Sequence, residues 1–420
     1  MTWTTTGKEL AVSKVTGHLD RRPSPVRGRA PAVERINFTP VELYGAMARC
    51  SHLHMVNADA VTAESETCRY LLSQYVDERQ KHFAILKTAD RLKDFSRTHL
   101  AGVVGAGIAY LQMIRDGYVW CDHFENLALG GSQPTKKSPD FVFSRREDET
   151  VALTESKSTR GSSRPQFDGT VRRGYLEQVS PYLGMAVGTA VASHGFAIGS
   201  WMTSSTSAEI FVHHTASSSG SAGSSGEGSS DPTSVRRGNY LNAMSLLFGS
   251  DVAAAARSGR WTPVDAHFVT GRWLGREWLL GFAAPNRLYE YDGVAVTLLD
   301  RPASSRSFNG FALDWAIARR FLRSLLPFGT GPNPLIELPE IDARLIAEAS
   351  RSEGAIFPDG FAVISNEADL EEISVRPLGQ ITEGAYIEDV SDPFDEDDVE
   401  RHFEQMQLNA DTIELLPYSR

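Results

Sequence analysis

Two short motifs rich in chemically active side chains lie fourteen residues apart, Pro139-Asp140 and Glu155-Ser156-Lys157. On a strand, residues two apart point to the same face, so Glu155 and Lys157 share one. A hairpin from 141 to 153 returns Asp140 to their side. Two carboxylates and an ammonium then converge at one end of a sheet. Paired carboxylates suit a hard divalent cation, Mg²⁺ or Mn²⁺, which takes oxygen ligands and keeps several waters. Such a cation polarises a phosphoryl oxygen and activates a bound water, while Lys157 orients that water or stabilises charge building on the phosphate. This is chemistry for phosphodiester hydrolysis.

The elements that must position these groups are readable on either side. Val103, Ala106, Tyr110, Met113 and Ile114 recur at helical spacing in a helix over 99–116. Beyond Gly117 the signal changes to strands. Tyr118-Val119-Trp120 is short and β-prone, and Phe141-Val142-Phe143 and Val151-Ala152-Leu153 flank the charged turn Arg145-Arg146-Glu147-Asp148-Glu149. A helical region over 170–192 and strands over 196–202 and 209–212 complete the order α-β-β-β-α-β-β.

Upstream, 36–98 reads as a helical N-terminal region. Thr39-Pro40 forms a cap and first-turn pair for one helix, a second covers 60–76 and a third lies within 84–95. Residues 1–35 contain Arg21-Arg22-Pro23-Ser24-Pro25 and Arg27-Gly28-Arg29-Ala30-Pro31 and read as a flexible Pro/Arg-rich arm. Residues 215–234 hold nine Ser and four Gly, the composition of a flexible loop or linker. A C-terminal α+β region over 235–375 follows. It has helices over 239–256, 311–326 and 341–349, a hairpin joining 267–273 to 278–283, and strands over 294–299 and 361–364. Trp273, Trp278 and Trp315 read as core aromatics, and His213-His214 as a surface or strand-edge pair. A zinc site at Cys50, His52, His54 and Cys68 is the weaker reading of that cluster.

The two motifs resemble those of the PD-(D/E)xK nuclease superfamily, with Pro-Asp on one strand and Asp/Glu-x-Lys on the next. The resemblance covers 99–214. It implies an α/β fold with a restriction-endonuclease-like core, α-β-β-β-α-β. It also implies that Asp140 and Glu155 bind metal, with the Ser156 carbonyl as third ligand, and that Lys157 assists the nucleophilic water. Gln178-Val179-Ser180-Pro181-Tyr182 is similar to the Gln-x-x-x-Tyr element of RecB-like branches. An i, i+4 pair on a helix shares one face. Gln178 and Tyr182 therefore join the catalytic set, approaching the metal site or a DNA phosphate. Pro181 kinks that helix or starts a new one capped by Ser180. Many superfamily members carry an acid on the helix before the first core strand. Gly105-Ala106-Gly107 stands there in this chain, and Glu125 is the nearest replacement as an additional acid.

Charge bears on the partner. The chain of 420 residues has a formal net charge of −11, which excludes a small basic nucleic-acid binder. Nine acids and no Lys or Arg lie between 383 and 400, within an acidic tail over 376–420, so the rest carries only about −2. Between 136 and 175, nine cations face six acids. Arg160, Arg164, Arg172 and Arg173 follow the motif strand directly and are the expected phosphate contacts. Three widely spaced cysteines and the absence of a long apolar run or secretory signal point to the cytoplasm, without a membrane. The expectation is a Mg²⁺-dependent nuclease acting on DNA, with RNA open, in bacterial DNA restriction or antiphage defence. The alternative is a noncatalytic nuclease-like scaffold that binds a protein partner through the acidic tail.

Overall fold

A computed structural model describes residues 3–4, 6–18, 34–51, 58–127, 137–216, 230–260, 267–282, 288–291, 294–297, 308–326, 333–364, 370–377, 381–382 and 385–386. The chain begins with a hairpin, β1 (Lys8–His18) and β2 (Glu34–Phe38), followed by helices α1 (Pro40–Ser51), α2 (Ala58–Tyr75) and α3 (Asp94–Arg115). Strands β3 (Trp120–His123), β4 (Phe141–Ser144) and β5 (Val151–Thr159) come next. After them run α4 (Arg164–Gly174), β6 (Ala186–Val187), β7 (Ala190–Trp201) and β8 (Glu209–Ala216). These strands form an eight-stranded mixed sheet in the order β2-β1-β8-β7-β5-β4-β3, with β6 paired onto β7. The fold is α/β, and the order from α3 to β8 follows the sequence expectation with one short strand, β6, added before β7.

β3, β4 and β5 are antiparallel neighbours, and β5 runs parallel to β7 after the α4 crossover. Val151 to Glu155 are all buried, as expected of a central strand covered on both faces. α3 covers one face and α4 the other. The α3 contact is tight at Gly105: a Cβ there would lie 2.5 Å from Ser158 Cβ, leaving no room for a side chain at that position.

The second half comprises α5 (Thr233–Phe248), α6 (Ser250–Arg257), β9 (His267–Trp273), β10 (Arg276–Phe282), β11 (Leu288–Tyr291) and β12 (Val294–Thr297). It continues through β13 (Phe308–Asp314), α7 (Trp315–Arg323), α8 (Ala343–Arg351), β14 (Ala355–Ile356), β15 (Phe361–Val363) and β16 (Glu371–Pro377). Its antiparallel sheet has the order β14-β15-β13-β10-β9-β16, and Trp273, Trp278 and Trp315 are core residues. One hydrophobic cluster spans both halves: Tyr44 of α1 stacks on Phe311 at 5.7 Å, and Tyr110 of α3 meets Phe143 at 5.9 Å and Phe357 at 5.8 Å. Within it Arg49 of α1 pairs with Asp359 at 2.6 Å and donates to Asn239 of α5 at 2.5 Å.

The structure departs from the sequence expectations at several points. The first 35 residues do not form a free arm throughout. Leu10 and Val12 alternate into the core and β1 lies inside the sheet, parallel to β8, while the Pro/Arg stretches fall outside the described residues. The third helix is only a 3-10 turn, Lys87–Arg91. The helix expected over 170–192 begins earlier, at Arg164, where Ser163 and Pro165 supply a start signal, and the chain is extended again by Ala186. The helix expected over 239–256 is interrupted at Gly249, whose φ is 92°. The one expected over 311–326 is a strand as far as Asp314, whose carboxylate accepts from the Ile317 N–H and caps α7. His213 is buried against Asp168 at 3.0 Å, and His214 stacks on Phe196 at 4.2 Å, so this pair is not a surface feature. His52, His54 and the acidic run over 387–400 lie outside the described residues. Among the described residues no helix is long and apolar enough to cross a membrane.

Two measurements test this packing. Asp359→Ala leaves the Arg49 charge buried without its partner and is expected to cost about 3–5 kcal/mol in urea unfolding. Gly105→Asp is expected to lose on the order of 2 kcal/mol by overpacking against Ser158. Wild-type stability of either variant would contradict the packing described.

Candidate functional site

The register of the β4–β5 pair sets the geometry. Phe141 lies opposite Thr154, so Asp140, one residue before β4, falls opposite Glu155. The Asp140 N–H donates to the Thr154 carbonyl at 3.1 Å, and the Ser156 N–H donates to Asp140 Oδ2 at 2.8 Å. Glu155 is fully buried, and Lys157, two residues on and on the same face, donates to Glu155 Oε1. α4 closes over this face. A Cβ on Gly174 would lie 3.2 Å from Lys157 Cε and 3.4 Å from Glu155 Cγ, so the helix backbone rests directly on the two side chains.

Removal from water dominates the electrostatics. Burial pushes the Glu155 carboxyl up to about 8, and the neighbouring Asp140 charge adds to the rise while Lys157 opposes it. Burial likewise raises Asp140, and the hydrogen bond from the Ser156 backbone and the Lys157 charge pull in the other direction. The two raised carboxyls are neighbours, and together they favour one retained proton. Glu155 Oε2 is buried and has no hydrogen-bond partner. A desolvated acceptor beside a second carboxylate suits a hard cation. The donors at hand are Asp140, Glu155 and the Ser156 carbonyl. Among the described residues no group of three or more His, Cys, Asp or Glu side chains is arranged to hold a metal ion. Glu125 follows β3 in the 3-10 turn Phe124–Asn126; it is exposed, and its charge raises Asp140.

Gln178 and Tyr182 do not share a face of one straight helix. α4 passes into a π turn, Tyr175–Val179, and then a 3-10 turn, Ser180–Tyr182, with Pro181 supplying no N–H to a continuous ladder. Gln178 Nε2 donates to the Ser138 carbonyl at 3.0 Å. Tyr182 is buried, its ring edge-on to Phe124 at 5.0 Å.

The four arginines divide. Arg160 is buried and bonded to the Ile85, Leu86 and Met202 carbonyls and to Asp90 at 2.6 Å, so its expected role as a phosphate contact is corrected to that of an internal tie. Arg164 is exposed but makes a two-pronged pair with Glu209, at 2.7 and 2.6 Å. Arg172 is half-buried and Arg173 is exposed. Gly174 as the seat of α4 on the site, and Phe124 and Ser138 as backbone neighbours of Asp140, escape a reading of side-chain chemistry. The Gly at the end of α4 and the Phe before Glu125 were the only signals.

Comparison with family models, with curated proteins and with solved structures gave no match.

The buried carboxyl pair has a measurable consequence. Glu155 ionises at a higher pH folded than unfolded, so its contribution to stability is full below the ordinary carboxylate range, near pH 4.5, and is lost as pH rises toward about 8. Glu155→Gln is therefore expected to be more stable than wild type at pH 8, by on the order of 1 kcal/mol or more, with the gap closing toward pH 4. Thermal unfolding across that range checks the sign.

Proposed function

We propose that the protein is a metal-dependent nuclease that hydrolyses DNA phosphodiester bonds, built on a restriction-endonuclease-like core from α3 to β8. The observation that carries this reading is the meeting of Asp140, Glu155 and Lys157 on one face of the β4–β5 pair, with a buried carboxylate oxygen left without a partner. The element order α3-β3-β4-β5-α4-β7 supports it. So does the fit of the donor set to a hard cation. Asp140, Glu155 and the Ser156 carbonyl would hold Mg²⁺ or Mn²⁺, which when bound polarises a phosphoryl oxygen and lowers the pKa of a water.

This chain's own groups do the rest. Lys157, half-exposed at the edge of the buried pair, holds an attacking water by hydrogen bond and offsets charge developing on the phosphate. Arg173, one residue before Gly174 on the exposed side of α4, is the best placed of the four arginines to meet a backbone phosphate. Gly174 keeps α4 close enough to exclude bulk water from Glu155.

A second reading, a noncatalytic scaffold with a nuclease-like sheet, is favoured by one observation: Gly105 of α3 packs against Ser158, on the face of β5 opposite Glu155 and Lys157, so the helix at that position offers no acid to the site. Calorimetric titration separates the two, since the scaffold binds no Mn²⁺ at millimolar concentration. The nuclease is expected to cut DNA with Mg²⁺ or Mn²⁺, and Asp140→Ala, Glu155→Ala and Lys157→Ala are each expected to lose about 10²–10³-fold or more in rate. Equal rates for wild type and Lys157→Ala would sink the mechanism. RNA offered in parallel sets the substrate class.

A further inference from the structure

The Gln178/Tyr182 element is expected to reach toward the metal or a phosphate, but its contacts lead elsewhere. Gln178 meets the peptide segment that carries Asp140 directly, and Tyr182 reaches it through Phe124, whose N–H holds the Asp140 carbonyl. On the N-terminal side, Gln178 Nε2 donates to the Ser138 carbonyl at 3.0 Å, two residues before Asp140. On the C-terminal side, the Asp140 carbonyl accepts from the Phe124 N–H at 3.2 Å, and the Phe124 ring is held edge-on by Tyr182 at 5.0 Å. Between these points the Asp140 N–H is fixed to Thr154 of β5. Tyr182 is only 5% exposed, and its ring faces the packed interior around Phe124.

We infer that Gln178 and Tyr182 form a clamp on the backbone around Asp140, acting as positioning residues and contacting neither cation nor phosphate. The inference rests on the metal-site reading above. Asp140 stands one residue outside β4, held by single hydrogen bonds to Thr154 and Phe124 and at its carboxylate by the Ser156 N–H, so the direction of that carboxylate follows the peptides on either side. The clamp supplies those restraints from the α4 side. The π turn is the local device: the widened backbone over Tyr175–Val179 and the tight turn at Pro181 set Gln178 against Ser138 and Tyr182 against Phe124, the two backbone neighbours of Asp140. Residues that orient a metal ligand from behind typically change metal affinity 10–100-fold when removed.

The test uses the full chain without DNA, titrated with Mn²⁺ by calorimetry. Gln178→Leu and Gln178→Glu are each expected to weaken Mn²⁺ binding about tenfold or more. The Glu variant keeps the shape but places oxygens against the Ser138 carbonyl. Tyr182→Leu, which removes the ring from Phe124, is expected to do the same. KM for DNA stays at the wild-type value while kcat falls. Mn²⁺ binding by Gln178→Glu that equals or exceeds wild type would make Gln178 a ligand and overturn the clamp. So would unchanged Mn²⁺ affinity with a raised KM, the mark of a phosphate contact. Hydrogen exchange provides a metal-free readout. Gln178→Leu is expected to speed exchange at Asp140 and Phe124 while β7 keeps its wild-type rates, and no change there overturns the clamp. Wild type that binds no Mn²⁺ but shows the exchange effect defeats the metal-site reading alone.

Discussion

Two carboxyls held opposite each other and out of water are the constraint on which the rest of this structure turns. Asp140 and Glu155 sit across an antiparallel pair, one fully buried, with a single ammonium beside them. Left ionised, the pair carries one charge more than Lys157 offsets, in a setting where water does not reach Glu155. A retained proton or a bound cation relieves this, and the raised carboxyl of Glu155 is the mark of the first. The neighbouring packing preserves this arrangement. Gly174 lets α4 lie on Glu155 and Lys157, and Gly105 lets α3 press on the opposite face of β5 at Ser158.

The second half of the chain works as a buttress to this sheet. α5 runs along the outer strand β3, where Asn239 accepts from the Cys121 N–H at 3.0 Å and so satisfies an edge donor. Trp120 donates to the Tyr240 hydroxyl at 2.9 Å and lies 4.2 Å beneath the Arg236 guanidinium. Asp122, raised by burial to about 6, accepts from Asn126 and Asn242, linking α5 to the turn that carries Glu125. The Arg49–Asp359–Asn239 contacts then join α1, α5 and the turn before β15.

Much of the α/β order was legible from local signals. The Phe141 and Val151 runs, the charged turn between them and the helical period before Gly117 each involve neighbours in sequence, and the structure follows them closely. The errors arose where partners are distant. β1 pairs with β8 some two hundred residues later in the chain, and no composition rule on the first 35 residues announces that ladder. Asp314 looked like a residue inside a helix because the apolar pattern from Phe311 onward fits either period, and only its pairing to Trp278 makes the first part a strand. Arg160 has the chemistry of a phosphate contact, yet the carbonyls of Ile85, Leu86 and Met202 converge on it from separate segments.

By itself the sequence determined which chemical groups are present and which of them are adjacent: the period of a strand puts Glu155 and Lys157 on one side, and a short hairpin can return Asp140 to them. It also placed Pro181, which has no N–H and cannot continue a helix. Tertiary structure decided the environment of those groups. Burial under α4 turns Glu155 from an ordinary acid into one with a strongly raised pKa, because desolvation depends on every element packed around a charge. The partners of Gln178 and Tyr182 were decided in the same way. A side chain's reach is local, but the backbone it meets at Ser138 and Phe124 is delivered by the folding of the whole sheet.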